Sequence, residues 1–327
     1  MNKRIFVLYT GGTIGMVQSE AGLKPDTALV NTALAPFSDG LDFDWHVCTP
    51  LIDSSAVQLA HWQEWADMVR SKLPHYDGIL ILHGTDTLAY TANFFALALP
   101  EADKPIVLTG SQWPYNAEGS DAPRNLETAA AALAEDGLKG AWIAFENKLF
   151  PAVGSSKVST ETEKGFDNPH FGAAEYRNGV WFGKISNGQT PCSDGLNRRL
   201  DSSADVAVYT LIPGKMLRHI SEDLQAKRSK AVILQSFGHG NAPADAEFVR
   251  AAQSYTENGG LLLNISQVPQ GRAAAVYAEG NALRRAGVIQ GGKCNLETAA
   301  VLLSLAVSNG WTAQEVQQEL ARLGLTD

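Results

Sequence analysis

The sequence is poor in the features that mark secreted, membrane-spanning and nucleic-acid-binding proteins. Its 327 residues include only three cysteines, Cys48, Cys192 and Cys294, and this odd number of widely separated thiols argues against a disulfide framework. No apolar stretch approaches the roughly 20 residues that cross a bilayer. Lysine and arginine form no run that could follow a phosphate backbone. We therefore expect neither a membrane nor a nucleic acid as a partner.

The N-terminal segment and the overall charge favour a cytoplasmic protein. Lys3 and Arg4 precede apolar residues, but Gly11 and Gly12 interrupt the apolar run before a secretory segment could form. The formal net charge is −9 at pH 7, and the acidic residues are scattered along the chain. We expect a soluble protein in a reducing compartment, which fits its cysteine usage.

Motifs for metals and cofactors are missing as well. The histidines form no His-Glu-x-x-His pattern, the cysteines form no Cys-x-x-Cys pair, and no Gly-x-Ser-x-Gly elbow occurs. The early glycines fall as Gly-Gly-x-x-Gly, whereas a dinucleotide-binding loop needs Gly-x-Gly-x-x-Gly. This spacing argues against a nicotinamide-dependent oxidoreductase, and we expect no metal and no cofactor.

What the sequence does contain is an alternation of apolar β-type segments with helical patterns, typical of parallel βαβ units. In the first half the patterns predict strands at 5–9, 78–82, 105–109 and 141–145, and helices at 59–73, 87–99 and 125–134. In the second half they predict strands at 206–212, 230–237 and 261–266, a helix at 243–258, and a last helix to about 323 that opens with a Thr312 and Glu315 capping box. A polar, turn-rich stretch lies between the halves. We predict domains at 1–187 and 206–327, joined by a linker at 188–205.

The first candidate functional residue is Thr13, in the turn that follows the first strand. The sequence there is Tyr-Thr-Gly-Gly-Thr-Ile-Gly-Met, from 9 to 16. One interpretation is a nucleotide-binding glycine loop. The other is an exposed nucleophile, because small neighbours let a substrate carbonyl approach the hydroxyl and leave backbone N–H groups free for an oxyanion.

Two further candidates, Thr85 and Asp86, follow the strand at 78–82 in the motif His-Gly-Thr-Asp-Thr. The simpler interpretation is that one of them caps the next helix. Three side-chain oxygens in a row exceed what a cap requires. Asp86 could therefore meet the ammonium group of a small zwitterion, and Thr85 could activate a water or the nucleophile.

Two later loops carry weaker signals. Ser111 lies in a glycine loop that leads to a helix with Pro123 in its first turn, for which loop and cap are the simpler interpretation. Lys157 lies in Gly-Ser-Ser-Lys-Val-Ser-Thr, where a lysine is usually a solvated charge. If it is buried beside Asp86, it could instead accept the proton of a threonine hydroxyl.

Four motifs taken together resemble those of the bacterial type I asparaginases. They are Thr-Gly-Gly-Thr-Ile-Gly-Met at 10–16, His-Gly-Thr-Asp-Thr at 83–87, Thr-Gly-Ser-Gln at 109–112 and Gly-x-Gly-Asn-Ala-Pro at 238–243. The resemblance covers nearly the whole chain. It implies hydrolysis of L-asparagine to L-aspartate and ammonia, and homodimers or homotetramers built from intimate dimers. It also implies a larger N-terminal α/β sandwich domain with a mostly parallel sheet and a smaller C-terminal flavodoxin-like α/β domain.

The resemblance also implies roles for individual residues. Thr13 matches the nucleophile, Thr85 and Asp86 match the second threonine and its carboxylate, and Lys157 matches the lysine that completes their relay. The implied substrate-binding residues are Gly12, Ser54, Ser55, Thr85, Asp86, Ser111 and Asn241. Among these, the two serines of 54–55 would hold the α-carboxylate, Ser111 would line the side-chain amide, and Asn241 would reach a neighbouring protomer's site.

The sequence departs from the family pattern in three features: one residue, one pair of residues and one segment. Leu23 stands where relatives commonly have a tyrosine that hydrogen-bonds the nucleophile, and leucine cannot pass a proton. Gln235 and Val268 stand where some type I enzymes have the arginine and cysteine of an activating asparagine site, which predicts a chain without that allosteric response. The segment 161–167 aligns loosely with the family.

Two other functions remain open at this stage. The first is a related amidohydrolase that accepts glutamine as well or instead, since a difference of one methylene is worth only about 1–3 kcal/mol in a pocket. The second is a binding protein on the same fold that has lost catalysis, which Leu23 suggests. Release of ammonia separates the second from any hydrolase.

Overall fold

The computed structural model describes residues 2–19, 22–27, 29, 32–183, 195–274 and 278–326. It contains two compact units, Met1–Leu196 and Asn197–Asp327. Cys192 and residues 188–194 of the expected linker lie outside the described residues. The boundaries expected from the sequence, 1–187, 188–205 and 206–327, remain a prediction.

In its described residues, the first unit combines one large sheet and two small two-stranded sheets with three α-helices. Its strands are β1 (Lys3–Tyr9), β2 (Met16–Ser19), β3 (Gly22–Pro25), β4 (Leu41–Val47), β5 (Gly78–Leu82), β6 (Pro105–Thr109), β7 (Gly140–Phe145), β8 (Lys148–Pro151), β9 (Ser156–Lys157), β10 (Phe166–Asp167), β11 (Ala174–Arg177) and β12 (Val180–Phe182). Its helices are α1 (Leu59–Lys72), α2 (Leu88–Ala98) and α3 (Ala122–Ala134). All four strands predicted for this half are present. The predicted start of the third helix at residue 125 is wrong, because α3 begins at Ala122. The expected place of Pro123 in the first turn, where its missing N–H costs nothing, is confirmed.

The strand order of the large sheet determines where a site can form. The sheet has eight strands in the order β12-β11-β8-β7-β6-β5-β1-β4. The five from β4 to β7 run parallel, and β8, β11 and β12 continue the sheet antiparallel. Numbered along the chain, the parallel strands follow the order 2-1-3-4-5. In sheets of this order the ligand crevice lies at the carboxyl ends of the first and third strands, here β1 and β5.

Helices cover both faces of the large sheet, which explains its continuous apolar strands. β5 and β6 are buried along their whole length, as expected of parallel strands that are packed on both sides. On one face, Leu126 and Leu133 of α3 pack against Ile5 and Val7 of β1. The resulting rigid sheet fixes the positions at which the strand-end loops begin.

The second unit is a smaller parallel α/β unit. Its strands are β13 (Val206–Thr210), β14 (Ala231–Ser236), β15 (Leu261–Ser266) and β16 (Ile289–Gln290). Its helices are α4 (Met216–Gln225), α5 (Ala246–Glu257), α6 (Ala278–Arg285), α7 (Leu296–Asn309) and α8 (Ala313–Arg322). The four strands are parallel and follow chain order. The flavodoxin strand order, 2-1-3-4-5, is found among the parallel strands of the larger unit. The expected capping box of Thr312 and Glu315 opens α8.

The predicted fold class is confirmed: a larger α/β unit with a mostly parallel sheet and a separate smaller α/β unit. Across the described ranges, none of the helices is long and apolar enough to cross a membrane.

Candidate functional site

The loops after β1 and β5 touch each other at the carboxyl edge of the large sheet. The Thr10 backbone N–H and hydroxyl both donate to the Leu82 carbonyl, each at 3.0 Å. Gly12 has a positive φ of 96°, and a Cβ atom placed on it would lie 2.4 Å from the Gly84 nitrogen. Only glycine permits this approach. It brings the turn that begins at Thr13 beside the loop that carries Thr85.

Lys157 joins this edge from β9 and links the two other predicted catalytic residues. Its Nζ donates to Thr85 Oγ1 at 2.8 Å and to Asp86 Oδ1 at 2.7 Å. The Thr85 side chain is buried, and the Lys157 side chain is only 16% exposed, whereas that of Asp86 is 58% exposed. The lysine is therefore a partly buried, directed donor, and the carboxylate can still face a ligand.

Neither Thr85 nor Asp86 serves as the helix cap that a simpler interpretation suggested. α2 begins at Leu88, its N-cap is Thr87, and no side chain caps it. The Thr87 hydroxyl donates instead to the Ser54 carbonyl at 2.8 Å. The side-chain oxygens of the 85–87 motif are thus used for tertiary contacts at this edge.

Ser54 lies at the same carboxyl edge of the large sheet, in the loop between β4 and α1. The Ile52 N–H donates to the Thr10 carbonyl at 2.8 Å, which fastens this loop to the β1 turn. Ser54 is buried, and a Cβ atom on Gly84 would lie 2.4 Å from its Oγ. Ser55 is exposed, and its N–H and hydroxyl both donate to Asp53 Oδ1 at 2.9 Å.

Ser111 adjoins the cluster at the end of β6. The His83 N–H donates to the Thr109 carbonyl at 2.9 Å, and a Cβ atom on Gly110 would lie 2.2 Å from the His83 carbonyl oxygen. Ser111 is buried, and its hydroxyl donates to the Trp113 carbonyl at 2.5 Å. The first unit thus gathers Gly12, Thr13, Ser54, Thr85, Asp86, Ser111 and Lys157 along one edge.

Two further sequence-predicted residues, Asn241 and Leu23, are not among the residues gathered at this edge. Asn241 belongs to the second unit, where its backbone bridges Phe237 at the end of β14 and its buried Oδ1 has no hydrogen-bond partner among the described residues. The Leu23 backbone pairs with Gln18 in the β2–β3 hairpin. The Leu23 side chain lies outside the described residues.

His83 is buried beside the end of β5, and both of its ring nitrogens have hydrogen-bond partners within the protein. The Trp62 indole can only donate, and it donates to Thr91 Oγ1 at 2.9 Å; the Thr91 hydroxyl can therefore donate to His83 Nε2, 3.1 Å away. His83 Nδ1 lies 2.7 Å from the Gly84 carbonyl oxygen, which only accepts, so the neutral ring carries its proton on Nδ1. Burial of the ring lowers the pKa of His83 to about 4.

Sequence reasoning did not single out Asp121, which lies in a segment whose simpler interpretation was a loop and a helix cap. The Asp121 side chain makes no cap bond to α3. Its carboxylate instead accepts from the backbone N–H groups of Gln112 and Trp113 and from Asn125 Nδ2, at 2.9–3.1 Å. An aspartate before a helix has the same sequence pattern in both roles, so the sequence carried no signal for this one.

Within the described ranges, no group of three or more His, Cys, Asp or Glu side chains could hold a metal ion. The side chains gathered at this edge offer the hydroxyl groups of Thr13, Ser54, Thr85 and Ser111, the Lys157 ammonium and the Asp86 carboxylate, with glycine backbone beside them.

Comparison with known proteins agrees with the motifs. Residues 4–184 match the family model described as asparaginase, N-terminal, and residues 205–320 match the glutaminase/asparaginase C-terminal domain. The chain is 31% identical to L-asparaginase 1 of Escherichia coli, over 98% of this chain and 96% of that protein.

Solved structures resemble the whole chain as well. The crystal structure of L-asparaginase I from Vibrio cholerae is 30% identical with a TM-score of 0.85, over 98% of this chain and 97% of that one. The thermostable L-asparaginase from Thermococcus kodakarensis is 26% identical with the same TM-score, over 99% of both chains. With both halves matched by family models, the chain belongs to the asparaginase family.

Proposed function

We propose that this protein is an L-asparaginase that converts L-asparagine and water to L-aspartate and ammonia, with Thr13 as nucleophile. The observation that carries the proposal is the pair of hydrogen bonds from Lys157 Nζ to Thr85 Oγ1 and Asp86 Oδ1. A partly buried ammonium that bridges a hydroxyl and a carboxylate is suited to proton transfer and to stabilising negative charge on oxygen. The family membership of the chain supports asparagine as the substrate.

In the first half-reaction, the Thr13 hydroxyl oxygen adds to the side-chain amide carbon of asparagine. The hydroxyl proton passes by way of Thr85 and Lys157 to the amide nitrogen, the C–N bond breaks, and ammonia leaves. An ester then joins the aspartyl group to Thr13. Backbone N–H groups of the glycine turn at 11–12 are suited to hold the oxyanion.

In the second half-reaction, water adds to the ester carbonyl and the bond to the Thr13 oxygen breaks. Thr85 and Lys157 remove the proton of the water, and Thr13 recovers its hydroxyl proton as aspartate is released. The balance is one water consumed, one ammonia and one aspartate formed.

The remaining residues of the edge are assigned to substrate binding. Asp86 uses Oδ1 for Lys157, and its exposed carboxylate can also meet the substrate ammonium. Ser54 and Ser55 are assigned to the α-carboxylate, and Gly12 and Ser111 to the side-chain amide.

Location and assembly are part of the proposal. A cytoplasmic location agrees with the free thiols of Cys48 and Cys294, and fractionation of the source cells tests it. A homodimer or homotetramer, in which Asn241 serves a neighbouring protomer's site, is testable by sedimentation. Asn241→Ala should then lower activity without changing the mass of the assembly.

The decisive experiment follows ammonia release from purified protein with L-asparagine and, separately, L-glutamine. Thr13→Ala and Thr13→Ser are assayed beside the wild type. We expect asparagine-dependent release that Ala abolishes and Ser partly retains, because serine keeps the hydroxyl. No release from asparagine by the wild type would overturn the proposal, and equal release from both amides would change it to a mixed glutaminase-asparaginase.

A further inference from the structure

We propose that Asp121 is a positioning residue for the reaction, because its buried carboxylate fixes one loop that holds both the Thr13 turn and the Lys157 segment. The loop runs from Ser111 to Ser120, between β6 and α3, and is called the β6–α3 loop. The inference rests on the proposed function, since it concerns the same site.

The Asp121 carboxylate anchors the start of the β6–α3 loop. Both of its oxygens accept from the Gln112 N–H at 3.0 Å, Oδ1 accepts from the Trp113 N–H at 3.1 Å, and Oδ2 accepts from Asn125 Nδ2 at 2.9 Å. Asp121 is 1% exposed. Hydrogen bonds to an ionised acceptor are about twice as strong as neutral ones, so this buried group restrains the loop more tightly than a neutral side chain would.

Asn125 extends the anchor to the neighbouring strand ends. Its Nδ2 also donates to the Gly110 carbonyl at 3.0 Å, and its Oδ1 accepts from the Glu146 N–H at 2.9 Å. Asn125 is fully buried. Asp121 and Asn125 therefore tie the β6–α3 loop to the ends of β6 and β7.

From this anchor, the β6–α3 loop contacts both halves of the proposed catalytic group. The Tyr115 N–H donates to the Ile14 carbonyl at 3.0 Å, in the short turn that Thr13 begins. On the other side, Gln112 Nε2 donates to the Ser159 carbonyl at 3.0 Å and to the Thr162 carbonyl at 3.2 Å, in the segment that follows Lys157.

These contacts give Asp121 an indirect but specific influence on catalysis. Thr13 lies in the turn after β1 and Lys157 lies in β9, far apart in the chain. The β6–α3 loop is hydrogen-bonded to the Thr13 turn and to the segment that follows Lys157. A displacement of about 1 Å in a catalytic group can cost about 100-fold in rate. Loss of the carboxylate should thus disturb the distance between hydroxyl and lysine more than it disturbs substrate affinity.

The test compares Asp121→Asn and Gln112→Met with the wild type. Asp121→Asn keeps the shape of the side chain but removes its charge and places a donor against other donors. Gln112→Met keeps a long side chain but removes the bonds to Ser159 and Thr162. The matched control is Asp201→Asn in the second unit, where an exposed carboxylate likewise accepts a backbone N–H, from Ser203.

Three quantities are measured: kcat and KM for ammonia release, the unfolding temperature, and amide hydrogen exchange over 157–165. For Asp121→Asn we expect kcat to fall about 10- to 100-fold with KM within about threefold of the wild type. Exchange over 157–165 should accelerate. Gln112→Met should accelerate the same exchange with a smaller fall in kcat, and Asp201→Asn should change neither.

An active wild type with unchanged kcat in Asp121→Asn overturns this inference alone. Unchanged exchange over 157–165 overturns it as well, because the loop would then not depend on the anchor. A kcat that falls only in proportion to the fraction of unfolded protein shows a purely structural role and also overturns it. Absence of ammonia release from the wild type is distinguishable from these results, because it overturns the proposed function itself.

Discussion

A Cβ atom on Gly12 would lie 2.4 Å from the backbone nitrogen of Gly84. The two loops that carry the candidate threonines are thus in backbone contact, and neither can move away while β1 and β5 remain paired. The contact sets the distance at which a hydroxyl on one loop meets groups on the other. Glycine at residue 12 is therefore a requirement of the site as well as of the turn.

We expect Gly12→Ala to abolish most ammonia release and to lower stability. The methyl group would collide with backbone atoms of Gly84, and the residue would also keep a φ of 96°, which alanine adopts only under strain. Overpacking of this kind costs about 1–3 kcal/mol. Thermal unfolding and the ammonia assay measure both effects.

The matched control is Gly40→Ala. Gly40 also has a positive φ, 74°, but nothing lies within 4 Å of its Cβ position. It should show only the cost of the backbone strain, about 1 kcal/mol, with kcat unchanged. If the two variants lost activity equally, the contact with Gly84 would have no special importance.

Lys157→Met tests the bridging ammonium. Methionine fills a similar volume but cannot donate to Thr85 or Asp86, so we expect kcat to fall by about 10²–10⁴-fold, the usual contribution of a positioned proton-transfer group. The exposed Lys164→Met is the control and should keep wild-type kcat. Retention of more than about a tenth of the wild-type kcat by Lys157→Met would contradict the assigned role.

The sequence predicted the central parallel strands of the large sheet but missed its edge strand β4. Thr13 and Thr85 follow strands with strong apolar patterns, so their meeting at one edge follows from parallel pairing. β4 was missed although Leu-Asp-Phe-Asp-Trp-His-Val alternates with the period of a strand. It is a half-buried edge strand, so it lacks the continuous apolar residues of the strands that are buried on both faces.

The tertiary contacts of the loops could not be predicted from local pattern. The Lys157 amine lies 2.8 Å from a hydroxyl that is 72 positions earlier in the chain. The residue types suggested only that Lys157 could lie beside Asp86 and serve a threonine, and the family resemblance identified that threonine as Thr85. For Asp121, an aspartate before a proline-containing first turn has the composition of a cap. The direction of its carboxylate depends on the path of the β6–α3 loop, which local sequence does not determine.

We expect His83 to make the protein less stable as the pH falls from about 6.5 to about 4. Burial lowers the pKa of the folded-state imidazole to about 4 from its ordinary value of 6.5. Between these values the unfolded chain binds a proton that the folded chain does not, so acidification favours unfolding. The full effect is on the order of 3 kcal/mol, since each pKa unit corresponds to about 1.4 kcal/mol.

Denaturant unfolding at a series of pH values measures this dependence. His83→Gln keeps a donor and an acceptor in the ring's place and should flatten the curve between pH 6.5 and 4, although the variant starts from lower stability. The exposed His219→Gln should leave the curve as in the wild type. A wild-type slope that persists in His83→Gln would assign the titration to another group.

Glu319 holds a buried cluster of charges in the second unit. It accepts from Arg198 at 2.8 and 3.1 Å and from Arg322 at 2.7 Å, and it is 1% exposed. Desolvation by burial tends to raise the pKa of Glu319, but hydrogen bonds from Arg322 and Arg198 outweigh it, so the pKa is lowered. The stabilisation is present above the unfolded-state pKa and is lost as the pH falls through the folded-state value.

Glu319→Gln should therefore lower the free energy of unfolding by about 3–5 kcal/mol at neutral pH, because it leaves two buried guanidinium groups without their counter-charge. Chemical denaturation measures the loss. The control Glu222→Gln breaks the exposed pair with Arg218 and should cost under about 1 kcal/mol. A similar loss in both variants would show that burial adds nothing to the cluster.

The rate of ammonia release should depend hyperbolically on asparagine concentration. The positions matched to the activating site of some relatives hold Gln235 and Val268. The Gln235 side chain is engaged within the sheet, since its Oε1 accepts from the Thr210 hydroxyl at 2.7 Å. Val268 is 47% exposed and offers no polar group to a zwitterion.

With neither a cation nor a thiol at these positions, a second asparagine lacks the charged partner that its carboxylate needs. Initial rates over a wide range of concentration decide the matter: a Hill coefficient near one supports the prediction, and a sigmoidal curve contradicts it.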